Sequence, residues 1–238
     1  MPSCSILRRP SVPPSWSDWV RDLIVTGTDT GVGKTLIASA LVMALRARGV
    51  RAIGFKPVET GVEEGQPTDS ELLARASGER DARALPLLQL EEALAPAVAA
   101  ERAGLVLNPD DIESRVGQLR RAGYTVVVEG AGGVMVPLAW DYTALDLAAA
   151  CDLDAVVVAH AGLGTLNHVA MTVMILRSRE IPIRGVVLNG RAATPDLAEA
   201  TNPSALTRML HGIRIVEVPQ QPPVNPMADV AMIVDRLL

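Results

Sequence analysis

A chain of 238 residues lies near the upper limit for a single hydrophobic core. Its composition, 49% hydrophobic but only 3% aromatic, calls for a core of Ala, Val, Leu and Ile, as in a parallel sheet buried on both faces. A net charge of −5 argues against a nucleic-acid binder, and the richest apolar stretch, residues 156–176, is broken by His160, Gly162, Gly164, Asn167 and His168, which argues against a membrane span.

Residues 1–19 hold Pro2, Pro10, Pro13 and Pro14 and lack the apolar segment of a secretory signal, which predicts a disordered leader ahead of one domain over 20–238. Cys4 and Cys151 match neither a zinc site nor a disulfide framework and fit a reducing cytoplasm. The first strand is predicted over residues 23–26 and runs into a Gly-containing turn. A helix over 35–48 follows, with Leu36, Ile37, Ala40, Leu41, Ala44 and Leu45 at helical spacing and Gly49 at its stop. Residues 52–56 read as the second strand. Thr68-Asp69-Ser70-Glu71 reads as a capping box opening a helix that Gly78 closes. Residues 90–102 look helical but are interrupted by Pro96. Asn108 and Pro109 read as N-cap and first helical residue of a helix to Arg121.

The strand 125–129 enters Gly130-Ala131-Gly132-Gly133. Beyond it come a helix at 143–151, a strand at 155–159, a helix at 164–179, a strand at 184–189, a helix at 204–210, a strand at 213–218 and a helix at 226–238. This alternation predicts an α/β fold of the P-loop NTPase type, a three-layer sandwich around a mostly parallel sheet with right-handed crossovers. Ligands of such sheets bind at the carboxyl ends of the strands, so the ends at Thr26-Gly27, Lys56-Pro57 and Glu129-Gly130 are expected to converge.

The strongest motif is Gly27-Thr28-Asp29-Thr30-Gly31-Val32-Gly33-Lys34-Thr35, between a strand and a helix. Its backbone N–H groups and the helix N-terminus suit phosphate, the Lys34 ammonium suits the β- and γ-phosphates, and the Thr35 hydroxyl suits Mg²⁺. The first glycine stands at Gly27, one residue earlier than the strict spacing. Asp29 stands where partition and septum-site ATPases usually carry a second lysine. In Gly54-Phe55-Lys56-Pro57-Val58-Glu59-Thr60-Gly61, a lysine at a strand end calls for an anionic neighbour, and Thr60 offers a hydrogen bond nearby. Asp69 at a helix start and Glu129 at a strand end supply carboxylates suited to Mg²⁺; for Asp69, ordinary helix capping is the competing explanation. Leu163-Gly164-Thr165-Leu166-Asn167-His168 opens a helix whose free N–H groups suit a carboxylate, with N-capping by Thr165 as the plainer alternative. His160, His168 and His211 are too scattered for a metal site.

In order, VTGTDTGVGKT (residues 25–35), GFKPVETG (54–61), VEGAGG (128–133), LGTLNH (163–168) and VVLN (186–189) resemble the dethiobiotin synthetase family, from residue 23 to the C-terminus. The resemblance implies a ligase that uses ATP and Mg²⁺ to close 7,8-diaminononanoate and CO₂ into a cyclic urea, through a carbamate and a carbamic–phosphoric anhydride. It implies that Gly31, Val32, Gly33, Lys34, Thr35 and Leu36, with Glu129, Gly130, Ala131 and Gly132, contact ATP and metal. Thr35, Asp69 and Glu129 would ligate Mg²⁺, and Lys34, Lys56 and Thr30 would be the catalytic set. Thr60 would touch the substrate. Asn189, Pro219, Gln220 and Gln221 would hold the adenine. Gly164, Thr165, Leu166 and Asn167 would grip the substrate carboxylate from the other subunit of a homodimer. Some family members carry an acidic residue where this chain has Gly31, so that side-chain contact is missing, and residues 86–96 and those after 221 align loosely. Two rivals are weaker. Amidoligases of the cobyrinic acid a,c-diamide synthase type add a glutaminase domain with a nucleophilic cysteine, whereas Cys151 lies inside an α/β unit. Partition-type switches are disfavoured by Asp29 and by Lys56.

Overall fold

The computed structural model describes residues 21–78, 80–220 and 226–238. The predicted leader and Gln221 lie outside them. Ten strands and eight helices follow one another in the described chain. They are β1 (Leu23–Gly27), α1 (Lys34–Ala47), β2 (Ala52–Phe55), β3 (Val58–Thr60), α2 (Asp69–Ser77), β4 (Leu88–Leu90), α3 (Pro96–Arg102), α4 (Pro109–Arg121) and β5 (Thr125–Gly133), then β6 (Pro137–Ala139), β7 (Tyr142–Thr143), α5 (Ala144–Ala150), β8 (Asp154–His160), α6 (Thr165–Ser178), β9 (Ile183–Arg191), α7 (Leu197–Met209), β10 (Ile215–Pro219) and α8 (Pro226–Val234).

Six strands form one sheet in the order β10-β9-β8-β1-β5-β2, and every neighbouring pair is parallel. Side chains alternate faces along each strand. Leu23 and Val25 of β1, Val127 of β5, and Val156 and Val158 of β8 pack on one side with Ile37 and Leu41 of α1 and Val230 and Val234 of α8. Ile24, Val126, Val128 and Val157 pack on the other side with Ile112 and Val116 of α4, Leu147 of α5, and Val169 and Val173 of α6. The near-continuous Val runs of β5 and β8 are thus accounted for, since both faces are dry and both favour branched aliphatics. At the amino ends of the strands, the buried Asp154 is paired with Arg21 and Arg184. Polar groups of other kinds collect at the carboxyl ends.

Four local expectations need correction. Residues 90–102 are not one interrupted helix. Leu90 ends the short strand β4, and Pro96 is the first residue of α3, where a missing N–H costs nothing. The helix expected at 204–210 begins earlier, at Leu197, because Asp196 and Glu199 form a capping box and Pro203 is carried inside the helix. Thr68 does cap α2, its hydroxyl accepting from the Glu71 N–H at 3.2 Å, but the other polar contact to that helix start comes from Glu59. Thr165 does not cap α6. Gly164 is the N-cap, with φ at +95°, no side-chain cap bond is made, and Thr165 is buried. Asn108 and Pro109 open α4 as expected, the Asn108 side chain accepting from the Asp110 N–H at 3.1 Å.

Candidate active site

β2, β5 and β1 lie side by side, so their carboxyl ends meet. β1 delivers the phosphate-type loop between Gly27 and α1. Gly27 sits where a Cβ would come within 2.7 Å of the Asp29 carbonyl oxygen and 3.0 Å of that of Gly132, so the loop closes tightly against β5 only without a side chain there. This explains the glycine one position ahead of the strict motif. At the far end of the loop, Gly33 has φ at +95° and caps α1, and no side chain makes a capping hydrogen bond to the start of that helix. The Asn189 side chain at the end of β9 donates to the Val32 carbonyl oxygen at 2.9 Å and fills the space a Cβ on Gly33 would take. The Lys34 ammonium bends back over the loop to the Asp29 carbonyl oxygen at 3.0 Å, and the Thr30 N–H donates to the Asp29 carboxylate at 2.7 Å.

Four side chains close around this loop. The Thr35 hydroxyl lies 2.9 Å from a carboxylate oxygen of Asp69 and 2.9 Å from one of Glu129. The Lys56 ammonium, from the end of β2, bridges the same carboxylates: it pairs with Asp69 and lies 2.9 Å from Glu129. Lys34, Lys56 and Glu129 are all buried. Burial lowers the pKa of Lys34, with Glu129 opposing. Burial also works against the Lys56 charge, but Glu129 and Asp69 outweigh it and its pKa is raised. Burial raises the carboxyl of Glu129 above the ordinary range, with Lys56 opposing. Two basic and two acidic side chains thus meet at one phosphate-type loop.

The cleft over this cluster has a volume of about 630 Å³ and is lined by Thr30, Gly31, Gly33, Lys34, Thr35, Lys56, Thr60, Asp69, Glu129, Ala131 and Gly132. Ala93, Leu94, Ala95 and Pro96 form a wall that sequence reasoning did not mark. Val32 and Leu36 pack into the core instead, and Gly130 is buried in β5. Asn189 meets the loop from behind at Val32. Pro219 and Gln220 follow at the exposed end of β10, where the Gln220 N–H donates to the Arg191 carbonyl at 2.8 Å. Residues 164–167 do not line the cleft. They stand at the start of α6, where the buried Asn202 side chain of α7 donates to the carbonyls of Ala161 and Gly162 at 2.8 and 2.9 Å. Asn202 lies in no motif that sequence reasoning recognised, and the buried Glu59, although inside the 54–61 motif, was given no role there.

Comparison with known proteins narrows what such a cleft does. A family profile described as an AAA domain matches residues 21–228. The ATP-dependent dethiobiotin synthetase BioD of Anaeromyxobacter dehalogenans (strain 2CP-C) is 43% identical over 204 residues, covering 85% of this chain and 92% of that protein. The synthetase of the same name from Rhodococcus jostii is 43% identical, covering 76% and 78% respectively, and that from Aquifex aeolicus is 36% identical, covering 83% and 88%. Among solved structures, the septum site-determining protein MinD of Pyrococcus horikoshii, complexed with Mg-ADP, superposes with a TM-score of 0.57 at 15% identity, covering 91% of this chain and 93% of that one. Cyanothece apo McdA gives 0.54 at 13% identity, covering 88% and 90%. These two share the fold alone. Identity at this level across most of both chains, with a phosphate-type loop and paired lysines at its cleft, identifies the chain as a member of the dethiobiotin synthetase family, the ATP-dependent ligases of biotin biosynthesis.

Proposed function

We propose that this cleft joins 7,8-diaminononanoate and CO₂ into dethiobiotin at the expense of ATP, with Mg²⁺ bound. The observation that carries the reading is the convergence of Lys34, Lys56, Thr35, Asp69 and Glu129 on one phosphate-type loop. The donors suit Mg²⁺. They are hard oxygens, and one Glu129 carboxylate oxygen is buried with no hydrogen-bond partner, an acceptor with capacity to spare. Thr35, Asp69 and Glu129 would hold the metal, which when bound supplies positive charge to the phosphate oxygens.

One substrate amine adds to CO₂, loses a proton and becomes a carbamate. A carbamate oxygen then attacks the γ-phosphorus, the bond to the bridging oxygen breaks and ADP leaves. The second amine attacks the carbonyl carbon of the resulting carbamic–phosphoric anhydride, phosphate departs and a proton is lost. Lys34 neutralises the transferring phosphoryl group, and Lys56 stands between that group and the carbamate. Thr30 and the loop backbone hold the phosphate chain, so the rate comes from alignment and charge rather than from a protein nucleophile. Thr60 would hydrogen-bond the substrate. Asn189, Pro219, Gln220 and Gln221 would frame the adenine. Residues 20–238 would act as one synthetase domain.

We also infer a homodimer working in the cytoplasm. The groove between the segment after β5 and α6, about 750 Å³, is lined by Met135, Met171 and Met174, which are exposed apolar side chains. A second copy of the chain would cover them. Next to this face, the α6 start has no side-chain cap, and the buried Thr165 hydroxyl has no partner. Gly164, Thr165, Leu166 and Asn167 would there receive the carboxylate of a substrate seated in the other subunit. No helix of the described residues is long and apolar enough to cross a membrane. Incubation with ATP, Mg²⁺, bicarbonate and 7,8-diaminononanoate tests the central reading. ADP release should require both diamine and bicarbonate, and equal turnover without the diamine would refute it.

A further inference from the structure

We propose that Glu59 is the positioning residue of the metal-site carboxylate Asp69, acting by clamping the first turn of α2 to β3. The inference rests on the synthetase reading only for the role of Asp69. Glu59 is 2% exposed, and both of its carboxylate oxygens are occupied. One accepts from the Ser70 backbone N–H at 2.6 Å, and the other from the Gln89 side-chain amide at 2.7 Å, across the β3–β4 pair in which Glu59 faces Gln89. No lysine or arginine of the described residues is ion-paired with it. Its negative charge faces instead the N-terminus of α2, where the helix dipole and unshared N–H groups favour an anion.

The alternation of β3 sets the division of labour. Val58 and Thr60 line the cleft, and Glu59 between them does not, so it touches no reacting group. Yet its bond to Ser70 fixes the residue immediately after Asp69. α2 has nine residues, too few to be stable by itself, so its first turn takes its position from its contacts. Of the two side-chain contacts to N–H groups of that turn, the Thr68 hydroxyl to Glu71 at 3.2 Å is exposed, whereas the one from Glu59 is short, charged and buried. Asp69 must hold one carboxylate between the Thr35 hydroxyl and the Lys56 ammonium. Glu59 thereby ties the strand that carries Thr60 to the helix that carries Asp69, and loosening it moves the metal carboxylate relative to the phosphate loop.

The test uses the full-length enzyme and the variants Glu59→Ala, Glu59→Gln and, as a control on the same helix turn, Glu71→Ala. In Glu59→Ala the Mg²⁺ concentration giving half-maximal rate should rise about tenfold or more, the usual size of an effect exerted on a metal through a ligand's support. In the nucleotide-free protein, amide exchange at Ser70 and Asp69 should quicken, a readout independent of turnover. Glu59→Gln keeps an acceptor for the Ser70 N–H and should recover most of both values, and Glu71→Ala should match the parent. If Glu59→Ala does not fold, Glu59→Asp, one methylene shorter, should show the same two changes. A folded Glu59→Ala or Glu59→Asp protein with the parent's Mg²⁺ requirement and Ser70 exchange would overturn the proposal. Failure of the synthetase reading is distinct: the parent enzyme would release ADP without the diamine, while the exchange measurement would still report on Glu59.

Discussion

Lys34 and Lys56 are held at one cleft by opposing balances. Burial dominates at Lys34 and lowers its pKa, whereas at Lys56 the carboxylates of Glu129 and Asp69 overcome burial and raise it. Both ammonium groups stand where negative charge would gather in the proposed phosphoryl transfer. Replacing either by Ala should lower turnover by roughly 10²–10³-fold, the loss typical of one preorganised charged donor. Circular dichroism should show an unchanged fold, and near-normal turnover in Lys56→Ala would make that lysine a bystander. Glu129 yields a pH prediction of two signs. Its carboxyl pKa is raised from 4.5, mainly by burial, so the folded apo protein binds this proton more tightly than the unfolded chain does. The resulting stability is present below the unfolded value and lost as pH rises through the folded one. Metal binding needs the proton gone, so Mg²⁺ affinity should rise over the same interval. Calorimetric titration with Mg-ADP across that range should show proton release in the parent, and Glu129→Gln should abolish it. Proton release undiminished in Glu129→Gln would assign the titration elsewhere. At this scale the charged residues were legible, because Lys56 directly follows the apolar strand β2 and Glu129 follows the Val126–Val128 run within β5, places where a charge has no structural reason to be. Glu59 was not, because its partners, Ser70 and Gln89, are brought to it by tertiary pairing.

The elements that position the site differ in how openly their sequences announce them. α4 and α2 declare their starts through Asn108-Pro109 and Thr68, local capping chemistry that needs no distant partner. β3 and β4 have three residues each and exist by pairing with one another, so neither had a periodic pattern to read. α7 was read too short because Pro203 signals a break. One lost N–H did not outweigh a capping box at Asp196 and the burial of Leu206 and Asn202. Asn202 links that helix to the start of α6. Its amide holds the carbonyls of Ala161 and Gly162, and so the loop that brings Gly164 to its left-handed conformation at the α6 start. Asn202→Ala removes the donor of the buried Ala161 carbonyl, while Gly162 keeps the Thr165 N–H at 3.4 Å, and should destabilise the fold by about 1–3 kcal/mol. If the loop receives the substrate carboxylate, KM for the diamine should rise while kcat changes little. Thermal unfolding and steady-state kinetics read the two effects separately. A fall in kcat with KM unchanged would detach the loop from substrate binding.

At the scale of the whole molecule, the alternation of strands and helices was enough to place the cleft, because parallel strands joined by right-handed crossovers put every functional strand end on one edge. The strand order and the packing of β1 between β5 and β8 needed the folded chain, since nothing local distinguishes a central Val-rich strand from its neighbour. The same geometry raises the question of how one subunit serves a long substrate. Its amines would sit beside Lys56, while its carboxylate lies at the other end of an alkyl chain. The uncapped start of α6 does not line the cleft of its own chain, and it lies on the element that exposes Met171 and Met174. A two-fold dimer through that apolar face would give each cleft the α6 start of its partner. Complementation tests this arrangement. Lys56→Ala disables the phosphate side of a site. Asn167→Asp places a negative charge in the first turn of α6, repelling a carboxylate while suiting the helix dipole, and so should leave the fold intact. Each variant by itself should be nearly inactive. Unfolded and refolded together in equal amounts, half of the dimers should be mixed, each with one intact and one doubly disabled site, returning about a quarter of parental activity for a two-fold assembly. Absence of recovery, with mixed dimers confirmed by mass spectrometry, would mean that each site is built from one chain. Full parental activity in a monomer by light scattering would exclude the dimer as the working form.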